Sequence, residues 1–193
     1  TSEGVHLIAE IVETLLPEMD RLGVAAAAEA SIETLAERML HDGTVEHALD
    51  EEELARAVRR IIESGAEAVA VCFLHSYANP SHERQAARAL LAARPEVPVS
   101  ISVDVVPEYR EFERFSTTAL NAYLQPLIDR YLGGLEKRLI DDGYRHGVLT
   151  VGSSGGMMTV DTARRLPIKT IFSGPAGGVG QAVFQGTRLG VAD

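Results

Sequence analysis

Between Asp50 and Val106 the hydrophobic period alternates between that of a helix and that of a strand, and this alternation restricts the fold more than any other feature of the chain. Asp50 followed by Glu53 is the capping-box pattern of a helix N-terminus. Leu54, Ala57, Val58, Ile61 and Ile62 then line one helical face, and Ser64-Gly65 supplies a stop. "AEAVAVCFL" is a near-continuous apolar run, of the kind buried on both faces of a parallel sheet. Asn79-Pro80 opens a second helix, with Asn as cap and Pro at the first helical position. "PVSISVDVV" reads as a second strand. Helix, strand, helix and strand in succession predict an α/β unit with right-handed crossovers.

The flanks are read from the same signals. Leu7, Ile8, Ile11, Val12, Leu15 and Leu16 predict a helix ended by Pro17 or Gly23, "SIETLAERM" alternates like a strand, and "HDGT" is a turn. A long helix is expected from about Glu113 to Asp142, striped by Leu120, Tyr123, Leu124, Leu127, Ile128, Tyr131, Leu135 and Leu139. Pro126 lies inside it and predicts a kink. "GVLTVGSSGG" then reads as a strand with a glycine turn, Val160 to Arg165 as a short helix, "IKTIF" as a β-like stretch, and about Gly178 to Leu189 as a last helix. The chain begins Thr-Ser and ends "GVAD" without a closing element, so a segment of a longer protein is expected.

Charge and composition exclude several functions. The net charge of −10 argues against nucleic acid and anionic membranes as partners, because phosphate binding needs Lys and Arg. No apolar run reaches the roughly 20 residues needed to span a bilayer. Cys72 is the one cysteine, so no intramolecular disulfide forms; within "AVAVCFL" it reads as a small buried hydrophobe, with a nucleophile as the minor reading. The six histidines show no metal-ligand spacing, and no metal site is expected. His75 ends a strand, where the sites of α/β proteins gather, although a polar strand-end histidine is also an ordinary surface group.

Three stretches are candidates for contact with a ligand. "PEYREFERFS" follows a strand directly; helical pairs such as Glu111–Arg114 account for most of its charge, and Glu108, Arg110 and Glu113 are candidates for a ligand or a neighbouring domain. In "GSSGG", Ser153, Ser154, Gly155 and Gly156 offer hydroxyls and unhindered N–H groups to an anion or carbonyl, or form a plain turn. The same residues fit GxSxG, but no histidine follows His146 to complete a triad, so a serine hydrolase is discounted. The third is "IFSGPAGGVGQAVFQG". It is not a Walker loop, since no Lys follows the glycines, and Val183 stands where GxGxxG needs its third glycine. Gly177, Gly178, Gly180 and Ala182 leave little side-chain bulk, which favours close packing or a hinge over anion contact at the helix N-terminus.

"VCFLHSYANPSHE", "PEYREFERFSTTALNAYLQP" and "SGPAGGV" together resemble the ATP-dependent hydantoinase/5-oxoprolinase family, the hydantoinase A subunits with their acetone carboxylase relatives. The motifs stand in family order, and the resemblance runs from about Ile32 to Gly190. It implies an α/β fold with a mixed sheet and flanking helices, part of an actin-, hexokinase- and Hsp70-like (RNase-H-like) ATPase. It divides the chain into an unplaced helical segment (1–30), the end of the family's N-terminal region (31–108), and the start of the hydantoinase A core (109–193), which holds the long helix and the SGPAGG helix. Ser173, Gly174, Pro175, Ala176, Gly177 and Gly178 then fall in the hinge helix between the lobes of the nucleotide cleft.

The function the resemblance implies is a cytoplasmic hydrolase that opens a small cyclic amide, 5-oxoproline or a hydantoin such as N-methylhydantoin, through a phosphorylated substrate. ATP and Mg²⁺ are the implied cofactors. The implied partners are a second, B-type subunit or domain and further copies of the chain. The family's DxGGTxTD-type phosphate hairpins do not occur in this sequence. The main cofactor ligands are therefore expected outside it, no catalytic residue is assigned, and the isolated chain is expected to be inactive. Alternatives are an acetone-type ketone carboxylase subunit, a non-catalytic assembly module using the long helix as its interface, or a degenerate ATPase.

Overall fold

The structure, a computed structural model, describes residues 35–191. The helix expected near the N-terminus, and residues 31–34 of the strand expected over "SIETLAERM", fall outside the described residues; of its described part, 35–39, only Arg38 and Met39 are strand. The elements in order are β1 (Arg38–Met39), β2 (Val45–His47), α1 (Glu51–Glu63), β3 (Val69–Val71), α2 (Ser81–Ala93), β4 (Val99–Ile101), α3 (Ser102–Val105), α4 (Glu111–Asp141), β5 (Leu149–Val151), β6 (Met157–Thr159), α5 (Val160–Arg165), a 3₁₀ turn (Pro167–Thr170) and α6 (Ser173–Leu189). They divide into two compact units, Thr1–Ala122 and Tyr123–Asp193, with the division inside α4.

In the first unit β3 and β4 pair in parallel, with Val69 opposite Val99 and Val71 opposite Ile101. The α/β order expected from the sequence is present, and its local signals act as expected. Asp50 Oδ1 accepts from Glu53 N at 2.7 Å. The reciprocal half of the capping box is absent; Glu53 Oε1 accepts from Ala36 N at 3.3 Å instead. α1 ends at Ser64 and Gly65, the latter at φ +74°. α2 starts one residue later than expected, with Asn79 Oδ1 accepting from Ser81 N. Leu49, Leu54, Val58, Val71, Ala86, Leu90 and Ile101 form the core. Burying each large aliphatic side chain of that set contributes about 1.5–3 kcal/mol. Ala70 is exposed, so among the described residues β3 is not buried on both faces. β1 and β2 form an antiparallel pair across the expected "HDGT" turn, where Gly43 takes φ +85°.

The strand expected over "PVSISVDVV" stops at Ile101, and Ser102–Val105 turns into helix. β-branched residues favour a strand there, but Ser102 Oγ and Val103 N both donate to the Glu83 carboxylate, which bends the chain away from its ladder.

In the second unit β5 and β6 form an antiparallel hairpin, with Leu149 opposite Thr159 and Val151 opposite Met157. Leu132, Val160 and Ala163 pack with Ile128, Leu135, Val148 and Met158. The short helix falls where expected, capped by Thr159 Oγ1 accepting from Thr162 N. "IKTIF" is not β-like: Pro167 opens a 3₁₀ turn and the chain enters α6 at Ser173 rather than near Gly178. Pro175 sits in the first turn of α6, where a missing N–H costs nothing.

The long helix holds Pro126 as expected, but it does not bury the expected stripe. Leu127 and Tyr131 are exposed, whereas Arg114, Thr118, Asn121 and Gln125 are buried. Those four recur at helical spacing on one face.

Candidate functional site

The carboxyl ends of β3 and β4 hold a buried polar cluster, at the edge where parallel α/β sheets place their sites. Glu83, in the first turn of α2, is 1% exposed. Its Oε1 accepts from Phe73 N at 2.9 Å and from Ser102 Oγ at 2.6 Å, and its Oε2 accepts from Val103 N at 3.1 Å. One carboxylate thus gathers the ends of both strands. From the other side Arg114, 0% exposed, donates from Nη2 to Phe73 O at 2.9 Å. Among the described residues its Nε and Nη1 have no hydrogen-bond partner. The guanidinium lies 5.6 Å from the centroid of the Tyr77 ring and 5.1 Å from that of Phe115, so cation–π contact takes the place of part of its hydrogen bonding.

Three further pairs surround this clamp. Asn121 Nδ2 donates to Ser100 Oγ of β4 at 3.0 Å. His82 Nδ1 and Glu37 Oε2 meet at 2.6 Å, both buried. His75 Nδ1 lies 3.2 Å from Tyr77 Oη, with the two rings edge to face. His75 takes φ +55°, left-handed for a residue with a Cβ. Cys72 sits among these groups, and burial, reinforced by the Glu83 charge, pushes its thiol far above the usual range. That opposes the thiolate a nucleophile requires.

Arg114 therefore does not form the solvated i,i+3 pair with Glu111 expected from the sequence; its hydrogen bond is to Phe73, 41 residues earlier. Glu108 and Arg110 lie in the same unit, after α3, and are exposed. Arg110 Nη1 stands 3.5 Å from Glu113 Oε1, and its guanidinium stacks on Tyr109. Hydrogen bonding to Tyr109 and the Glu113 charge hold its pKa up.

The second unit brings two other expected stretches together. "GSSGG" is the β5–β6 turn, closed by Gly152 N donating to Gly156 O at 2.7 Å, with Gly155 at φ +82°. Ser154, Gly155 and Gly156 are exposed. Ser153 N donates to Lys169 O, and Ser153 Oγ accepts from Phe172 N at 3.0 Å. The Ser153 hydroxyl thus serves the entry to α6, next to Ser173 and Gly174. No residue of α6 is buried. Among the described residues a Cβ added at Gly174 or Gly178 meets nothing within 4 Å, and one at Gly177 meets Val151 Cγ1 at 4.0 Å. Among the described residues no group of three or more His, Cys, Asp or Glu side chains is placed to hold a metal.

Sequence reasoning missed Glu83 and Arg114. The signal was present: Glu83, Ala86 and Leu90 share one face of α2, and Arg114, Thr118, Asn121 and Gln125 share one face of α4. Polar residues in a core-facing register announce a buried network.

Two family models match in sequence order: the hydantoinase/oxoprolinase N-terminal region over residues 2–93, and hydantoinase/oxoprolinase over residues 114–192. The caprolactamase subunit alpha of Pseudomonas jessenii is 35% identical, over 72% of this chain and 20% of that protein. The acetophenone carboxylase gamma subunit of Aromatoleum aromaticum is 31% identical, over 80% of this chain and 21% of its own length. The 5-oxoprolinase 1 of Arabidopsis thaliana is 34% identical, over 67% of this chain and 10% of that protein. The crystal structure of the ATP-dependent caprolactamase from Pseudomonas jessenii superimposes with a TM-score of 0.76 at 29% identity, over 90% of this chain and 27% of that one. Nucleotide-free acetone carboxylase gives 0.70 at 26% identity, over 91% of this chain and 26% of that one. The chain spans about a fifth of the length of the first two relatives. Both family models, matched in order, and the shared α/β structure lead to one assignment: the chain belongs to the hydantoinase/oxoprolinase family.

Proposed function

We propose that the chain is part of a cytoplasmic, ATP-dependent enzyme that opens a small cyclic amide such as 5-oxoproline or a hydantoin. The observation that carries this reading is the likeness to the ATP-dependent caprolactamase structure, over 90% of the chain. The chemistry is coherent. A lactam carbonyl is a poor electrophile, and transfer of a phosphoryl group to its oxygen makes the ring carbon open to water. ATP supplies that phosphoryl group when bound. Among the described residues no group of three or more His, Cys, Asp or Glu side chains is placed to hold Mg²⁺. Relatives named as alpha and gamma subunits support a second subunit as partner.

Within the enzyme, the chain's role is the hinge of an actin-like nucleotide cleft, with Ser173 to Gly178 as the crossing point. A helix with four glycines in its first eight residues and no buried side chain presents backbone for another element to approach closely. In the full-length protein, Gly177→Val or Gly178→Val should lower Tm more than it lowers nucleotide affinity. Unchanged Tm with lost nucleotide affinity reverses the assignment in favour of direct phosphate contact.

The test of function is turnover by the full-length protein: ADP release dependent on 5-oxoproline, a hydantoin or caprolactam, with the ring-opened acid as product. The second reading, a ketone carboxylase subunit, is favoured by the likeness to acetone carboxylase. ATP consumption that requires acetone and bicarbonate, with no ring opening, decides for it.

A further inference from the structure

His75 is placed with care and used by nothing described above. Its left-handed backbone, at φ +55°, is held from several sides. Ala78 N and Asn79 N both donate to its carbonyl oxygen, at 2.9 and 3.2 Å. Two residues before it, Phe73 is fixed by Glu83 through its N–H and by Arg114 through its carbonyl, which also accepts from Ser76 Oγ at 2.8 Å. A non-glycine outlier that its surroundings over-determine is characteristic of functional sites.

The imidazole meets Tyr77 through Nδ1 and edge to face. Tyr77 Oη, 3.2 Å from Nδ1, has no other hydrogen-bond partner among the described residues. When the Tyr77 hydroxyl donates to Nδ1, the ring's own proton is on Nε2. Nε2 has no partner among the described residues, and His75 is half-buried. The buried guanidinium of Arg114 lies 5.6 Å from the Tyr77 ring centroid, its Nε and Nη1 without a hydrogen-bond partner among the described residues. The three hydrogen bonds Glu83 accepts commit its charge to Phe73, Ser102 and Val103.

We propose that His75, oriented by Tyr77, binds an oxyanion of a small-molecule ligand through Nε2–H at the carboxyl end of the parallel pair. The oxyanion is a carboxylate, as on a cyclic amide acid, or a phosphate, as on a nucleotide. The inference relies on the enzymatic reading only for its choice of probes.

The test is calorimetric binding of 5-oxoproline, ATP and inorganic phosphate, in separate arms, to the full-length protein. Asn tolerates the left-handed conformation, so His75→Asn removes the imidazole while keeping the backbone. The expected result is at least about a tenfold loss of affinity for one probe in His75→Asn, with Tm unchanged. Tyr77→Phe should give a smaller loss for the same probe, because it removes the orienting hydroxyl but not the donor. The arm that responds identifies the oxyanion. Equal affinity of His75→Asn and wild type for every probe overturns the proposal, as does failure of all three to bind the wild type. Ring opening with His75→Asn binding undiminished rejects this site and keeps the function. Binding lost in His75→Asn, in a protein that opens no ring, does the reverse.

Discussion

Replacing Glu83 by Gln tests the clamp at the strand ends with little change in shape. The carboxylate offers two acceptor oxygens to three donors, two on Oε1 and one on Oε2. Gln offers one oxygen and one NH₂ group. If the oxygen takes the place of Oε1, Phe73 N and Ser102 Oγ keep an acceptor, and Val103 N faces an N–H donor. The reverse placement orphans Phe73 N. In the better case one buried donor is lost, at about 1–3 kcal/mol, and two bonds to a charged acceptor weaken to neutral ones, at about 0.5–1 kcal/mol each. The expected destabilisation is about 3 kcal/mol. Hydrogen exchange of the full-length protein, read on peptides covering β3 and β4, measures it. At 1.4 kcal/mol per factor of ten, exchange that depends on opening of this unit should accelerate by about a hundredfold. Exchange within threefold of wild type in both peptides would refute the claim that Glu83 holds the two strand ends.

Three further outcomes follow from the same structure. A Cβ on Gly152 would stand 2.5 Å from Met158 Cε, so Gly152→Ala should cost about 1 kcal/mol and prove non-additive with Met158→Ala in a double-mutant unfolding cycle. Asp50→Ala removes the acceptor for Glu53 N and should cost about 1 kcal/mol, read as a lower urea midpoint with unchanged slope. Because burial raises the Cys72 thiol, the neutral form should persist in the folded protein as pH rises to 9; iodoacetamide should label Cys72 only after denaturant is added, and labelling of native protein at pH 8 refutes this.

What the sequence made legible is what neighbours in the chain decide. Asp50 as cap, the "HDGT" turn, the stop at Gly65 and the Val160–Arg165 helix each rest on hydrogen bonds spanning a few residues, and each stands where its residues place it. The parallel pairing of β3 and β4 followed from element order alone. Illegible features depend on distant partners. Ser102–Val105 is rich in β-branched residues and is helical, because an acid 19 residues earlier takes its first polar groups. The Leu and Tyr side chains of α4 suggested a buried stripe, yet Arg114 and Asn121 face inward, since their partners lie on the loop after β3 and on β4. In the second unit, "GSSGG" was readable as a turn, but the service of Ser153 to the start of α6 was not.

The bonds that Glu83 and Arg114 make to Phe73 have a consequence for how the sheet grows. A helix ends when a nearby side chain takes the place of the next backbone group. Here the same stop is made for a strand by remote side chains, an acid 10 residues ahead for the N–H and a guanidinium 41 residues ahead for the carbonyl. With the N–H and the carbonyl of Phe73 both occupied, no further strand can add its ladder at that residue. Edge-to-edge recruitment, of the kind exposed strands invite, is thereby limited to the residues of β3 itself, Val69–Val71.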